Sequence, residues 1–150
     1  MRLVLTNATL IDCLSPEPIP QASVSIEEGR IVEVTDGRRS PDTRDARVID
    51  LDGAFLLPGL WDVHIHPEYV THPVLTVAQQ TARFGRNLIQ GMTQAGVLGV
   101  RCGGAANFMD VAWRDVFASG QPDGPRVFAC GNFLTTTGGH FLTSGHAREC

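Results

Sequence analysis

Along the first fifty-seven positions apolar and polar residues alternate in short runs; beyond them the period lengthens. Leu3 to Thr6, Ala22 to Glu27, Arg30 to Val34, Val48 to Gly53 and Ala54 to Leu57 carry strand alternation or strand composition. That period of two sends neighbouring side chains to opposite faces of a sheet. Glu28-Gly29 parts two of these runs and predicts a tight hairpin over Ser23 to Val34. Arg38 to Arg47 is polar and contains Pro41, which predicts a surface loop. Residues 1–57 therefore predict a small β domain without a catalytic cluster of its own.

From residue 58 strands trade places with helical stripes. Pro58-Gly59 leads into a strand over Leu60 to His64. Apolar residues at 74, 77, 78, 82, 88, 89, 92 and 95 predict a helix over Val74 to Ala95, stopped by Gly96. Val97 to Arg101 reads as a second strand. Phe108, Val111, Ala112 and Val116 form one face of a second helix ending near Gly120, and Arg126 to Cys130 reads as a third strand. Strands separated by helices predict a parallel sheet, because parallel neighbours need crossovers. A closed (β/α)8 barrel takes about 30 residues per unit and roughly 250 in all. Residues 58–150 hold about three such units, so the expectation is the start of a barrel rather than a whole one.

Composition narrows the field. With 43% apolar and 19% charged residues the chain falls in the globular range. The net charge of −4 and the scattered basic residues exclude a nucleic-acid footprint and a polybasic membrane patch. No run approaches the ~18 apolar residues of a membrane span, and the first residues turn polar too soon for a signal peptide. The expected address is cytoplasmic. Cys13, Cys102, Cys130 and Cys150 are widely spaced and read as reduced thiols. All twelve basic residues are arginine; there is no lysine.

The chemistry gathers at the first strand of the second half. Alternation points Asp62, His64 and His66 one way and Trp61, Val63 and Ile65 the other, under the helices. Two imidazoles two residues apart at a strand end can both reach one divalent ion at about 2.0–2.1 Å. Asp62, one pleat deeper, is placed to orient a ligand or to satisfy nearby backbone. Read alone, the same spacing also suits two histidines exposed at a strand end.

The run Pro58-Gly59-Leu60-Trp61-Asp62-Val63-His64-Ile65-His66 resembles the first barrel strand of the amidohydrolase superfamily. Gly29-Arg30-Ile31 and Val48-Ile49-Asp50 before it agree with that likeness, as do Gly96 to Arg101 and Gly103-Gly104 after it. Gly124 to Phe128 followed by Thr137-Gly138-Gly139-His140 is similar to the imidazolonepropionase-like and prolidase-like branch. The resemblance implies a (β/α)8 barrel preceded by a small β-sandwich. It further implies one or two divalent ions, zinc the usual occupant, held by His64 and His66, with His140 beside the substrate and Asp62 supporting a ligand. Where the branch commonly has Arg-Asp, this chain has Arg101-Cys102, which puts any role of that acid in doubt. The family completes its site with a lysine, two more histidines and an aspartate general base on later strands. His72, His146, Glu68 and Tyr69 read as solvated loop residues.

The expectation is thus a metal-dependent hydrolase of carbon–nitrogen bonds, acting on a small amide or dipeptide with no nucleic-acid or membrane partner. Homo-oligomerisation of a full-length enzyme is left open. The second expectation belongs to another class: a truncated non-catalytic fragment, or half of a split barrel that needs a partner chain. Lysine, spaced histidines and a late aspartate in adjoining coding sequence would separate the two.

Overall fold

The computed structural model describes residues 1–67 and 75–133. The chain divides into two compact units, Met1–Pro58 and Gly59–Cys150.

The first unit is one mixed sheet. Its strands are β1 (Arg2–Leu10), β2 (Ile19–Glu27), β3 (Arg30–Thr35), β4 (Ala46–Asp50) and β5 (Phe55–Leu56). β2 pairs antiparallel with β1 and β3, while β4 and β5 run parallel to β1 along its other edge. The β2–β3 turn is the expected two-residue hairpin. Glu28 and Gly29 both have positive φ, +49° and +75°, which matches the right-handed twist of the strands it joins. Val4, Ala8, Ala22 and Val24 are buried. Leu5, Leu10, Val24, Ile26, Ile31 and Val34 line an apolar groove on this sheet. Ile31 remains 67% exposed and Val34 49%.

In the second unit three parallel strands, β6 (Leu60–Ile65), β7 (Val97–Cys102) and β8 (Arg126–Phe128), lie in sequence order. Helix α1 (Val77–Ala95) joins the first pair and α2 (Met109–Ala118) the second, after a short 3₁₀ turn over Ala106–Phe108. The expected start of α1 at Val74 lies outside the described residues. The helix begins at Val77 because Thr76 and Gln79 close a reciprocal capping box: Thr76 Oγ1 accepts the Gln79 amide, and Gln79 Oε1 accepts the Thr76 amide. Gly96 ends the helix in the left-handed conformation.

The core of this unit comprises Phe84 and Leu88 of α1, Val100 and Cys102 of β7, Ala105, Ala106, Met109 and Val127. Trp113 of α2 crosses α1 at Gly85, where an added Cβ would run into the indole. Its Nε1–H donates to the Thr81 carbonyl at 2.7 Å. Among the described residues no helix is long and apolar enough to cross a membrane.

Alternation along β6 is broken, which corrects the expected assignment of faces. Asp62 stands in register with Val100 and Ile65 with Cys102, three steps against two. A bulge therefore spans Val63 and His64. Trp61 lies across Gly99 and meets Phe128 at 5.7 Å between ring centroids. Far from packing under the helices, it stays 53% exposed. Ile65, four residues on, packs against the helix-covered core. Two side chains an even number of residues apart thus end on opposite faces, and Asp62 leaves the series that holds His64 and His66.

Burial pushes the Cys102 thiol up to about 12, the nearby Asp110 charge adding to the effect while hydrogen bonding from the Gly104 backbone opposes it. A raised acid constant means that the folded chain holds this proton longer than the unfolded chain. Stability from this group is intact below about pH 9 and is lost as pH rises towards 12. The urea midpoint should fall more steeply with pH above 9 for the native chain than for Cys102→Ala. In the same folded protein iodoacetamide should modify the exposed Cys13 and Cys130 well before Cys102, as read by peptide mass spectrometry. Equal labelling rates and parallel pH profiles would refute the assignment.

Candidate metal centre

Parallel strands present their C-terminal ends at one edge, and the β6, β7 and β8 loops meet there. The bulge in β6 leaves the His64 amide without a regular ladder position, and the Asp62 carboxylate accepts it at 3.2 Å. This local turn, in which a short acid bonds the backbone two residues on, sets the direction in which His64 leaves the strand. His66 follows at the start of the loop. Asn87 of α1 fixes that loop by donating to the Pro67 carbonyl at 2.7 Å.

The two imidazoles converge, with Nε2 of His64 3.2 Å from Nε2 of His66. Two nitrogens bound at about 2.0–2.1 Å to one tetrahedral ion stand about 3.3–3.4 Å apart, so the spacing fits a shared ion. Both tips lie over Gly103. A Cβ built there would come within 3.0 Å of His64 Nε2 and 3.2 Å of His66 Nε2. Gly103 is needed for room, since its φ is not in the left-handed region. A cleft of about 390 Å³ beside the pair is lined by Asp62, His64, His66, Pro67, Asn87 and Gly91 among others.

The protons follow from the partners. His66 Nδ1 lies 3.2 Å from the Gly104 carbonyl, which can only accept, so in the neutral ring Nδ1 carries the hydrogen. Nε2 is then the bare nitrogen, the form that binds metal. The His64 Nε2–H accordingly donates to His66 when no ion lies between them. The Cys102 thiol donates to the same Gly104 carbonyl at 3.4 Å.

The donor chemistry fits a divalent ion, but as part of a ligand set. Among the described residues no group of three or more His, Cys, Asp or Glu is placed to hold a metal, whereas a catalytic zinc usually takes three protein ligands. His140, His72, His146, Glu68 and Tyr69 lie outside the described residues. Residues that the sequence reading did not single out complete the surroundings: Gly103 as floor, the Gly104 carbonyl as proton acceptor, and Phe133, whose ring centroid stands 5.7 Å from that of His66. The Gly-Gly pair closing the second strand was the one sequence signal for the first two.

No family model matches the chain. Over 66 residues, 44% of the chain, it is 46% identical to the adenine deaminase of Dehalococcoides mccartyi (strain CBDB1), covering 10% of that protein. It superposes on a Xaa-Pro dipeptidase with methionine bound in the active site at a TM-score of 0.81 and 28% identity, over 93% of this chain and 36% of that one. A prolidase complexed with N-methylphosphonate-L-proline matches at 0.80 and 28%, over 93% and 34%. The fold and site define an α/β chain with its histidines at the C-terminal end of a parallel sheet. In sequence and in structure the chain is similar to members of the amidohydrolase superfamily, and it spans about a third of the length of the solved structures. That share fits the N-terminal portion of such a protein.

Gly103→Ala should press on both imidazoles and lower zinc affinity about tenfold, in the range seen when support for a ligand is disturbed. Gly91→Ala, with nothing within 4 Å of its added Cβ, should gain about 0.5–1 kcal/mol of helix stability. Zinc titrations and thermal melts of the two variants distinguish these outcomes; unchanged affinity in Gly103→Ala would show that the pair does not close on an ion.

Proposed function

We propose that this chain supplies the first metal-binding strand of a zinc-dependent, cytoplasmic hydrolase acting on carbon–nitrogen bonds of small amides or dipeptides. The observation that carries the reading is the convergence of two imidazole Nε2 atoms at 3.2 Å over Gly103, at the strand end where such barrels do their chemistry. The dipeptidase and prolidase likenesses, each over 93% of the chain, favour a peptide-type amide. The sequence match to adenine deaminase supports a second substrate reading, removal of an exocyclic amine from a heterocycle. Both reactions replace a C–N bond with a C–O bond taken from water.

The remaining barrel strands, and a second sheet packed on the apolar groove of the first unit, belong to this proposal. Ile31 and Val34, half or more exposed on that groove, are the surface such a sheet would cover.

His64 and His66 would hold the ion, and one or two ions are compatible with that pair. The chemistry a zinc ion supplies when bound is polarisation of a carbonyl and acidification of a water. The chain's own residues prepare for it. Gly104 keeps the His66 proton on Nδ1, and Asp62 holds the bulge from which His64 projects. His140 would help hold the substrate, and the general base would come from a later strand.

In the protein that completes the site, His64→Ala or His66→Ala should remove most bound zinc and at least ~10³ of turnover on a dipeptide and amide panel. Catalytic zinc has few protein ligands to spare. Glu28→Gly, in the β2–β3 hairpin, should leave turnover within a few-fold. Full metal content and normal turnover in either histidine variant would end the metal assignment.

A further inference from the structure

Among the described residues Asp110 is the one fully buried charged side chain. Its place in the first turn of α2 accounts for one of its contacts, the Val111 amide on Oδ1 at 2.9 Å. The other oxygen reaches out of the helix. Asp110 Oδ2 accepts the amides of Cys130 and Gly131, both at 2.9 Å, in the loop after β8. Bonds from backbone N–H to a buried carboxylate are short, strong and costly to leave unmade.

That loop in turn grips the loop after β7. The Gly131 carbonyl accepts the Ala105 amide at 2.9 Å, and Asn132 Oδ1 accepts the Phe108 amide at 3.1 Å. The Phe133 ring occupies the space into which a Gly104 Cβ would point, and faces His66. Between these ties Asn107 and Phe108 both adopt left-handed φ, +56° and +52°. A bulky residue keeps that conformation only where its surroundings hold it there. Gly104, whose carbonyl takes the His66 proton, sits directly before the Ala105 tie.

We propose that Asp110 is a positioning residue for the histidine pair. Its carboxylate clasps the β8 loop to the β7 loop, and the clasp holds the Gly104 carbonyl where it fixes the ring angle and the Nδ1 proton of His66. With Nδ1–H held, the Nε2 lone pair faces His64. When the carbonyl shifts, the Nδ1–H loses its fixed acceptor and the proton distributes over both nitrogens, which removes a metal donor part of the time. The effect on metal affinity rests on the metal reading above; the effect on the proton does not.

The test is imidazole ¹⁵N NMR on the metal-free full chain together with zinc titration. In the native chain His66 should show a protonated Nδ1 and a bare Nε2. Asp110→Asn leaves one acceptor oxygen for three N–H groups. It should give a mixed tautomer at His66 and a loss of zinc affinity on the order of 10–100-fold. Asn132→Ala cuts one tie of the same clasp while leaving Asp110 in place, and should shift both readouts in the same direction by a few-fold. This variant decides the matter if Asp110→Asn does not fold. Val127→Ala opens a cavity in the core without removing a tie, so it should lower the melting temperature with the His66 tautomer unchanged. A native His66 tautomer in Asp110→Asn, or in Asn132→Ala should the first variant fail to fold, overturns the proposal. So does a tautomer shift in Val127→Ala equal to that of the clasp variants. If the native chain binds no zinc while the His66 proton still responds to the clasp variants, the metal reading fails and the clasp stands.

Discussion

Two donors share the carbonyl of Gly104: His66 Nδ1 at 3.2 Å and Cys102 Sγ at 3.4 Å. A carbonyl has two lone pairs and can serve both. One donor belongs to the packed core, since Cys102 is buried beside Val100, Met109 and Phe84. The other belongs to the candidate site. The aim of the His66 ring is thereby tied to the core through this backbone atom. A loop carbonyl is a weak fixture unless its neighbours are held, and here the next residue, Ala105, is bonded to the β8 loop.

The sheet does the coarse positioning. Parallel pairing of β6, β7 and β8 brings three loops to one edge, and helices α1 and α2 cover the face carrying Val100, Cys102 and Val127. Fine positioning comes from departures from regularity. The β6 bulge rotates His64 out of the face that Asp62 occupies, and the Asp62 carboxylate meets the amide that the bulge exposes. Gly103 then leaves a gap as wide as one side-chain carbon, and the imidazole tips fill it.

The relatives are consistent with one edge serving several reactions. The dipeptidase and prolidase structures share the fold over nearly all of this chain, and the deaminase shares a shorter stretch of sequence. A scaffold that carries its reactive groups on loops at strand ends can change substrate without changing its sheet.

Much of this was legible in the residues. The shift from a period of two to helical stripes near residue 58 marked the boundary between β unit and α/β unit, because burial on one face imposes that period on any sequence. The Glu28-Gly29 hairpin, the Gly96 stop and the pairing of His64 with His66 were also legible, each depending on residues close in sequence. The Thr76–Gln79 capping box was equally local and passed unread. Tertiary structure alone decided the rest. Whether Asp62 shares a face with the histidines depended on how β6 pairs with β7, and a bulge reverses faces without any change in composition. The roles of Gly103, the Gly104 carbonyl and Asp110 depended on contacts between segments about 20 to 40 residues apart. Local alternation therefore placed the two histidines together, and long-range backbone pairing determined which atoms hold them there.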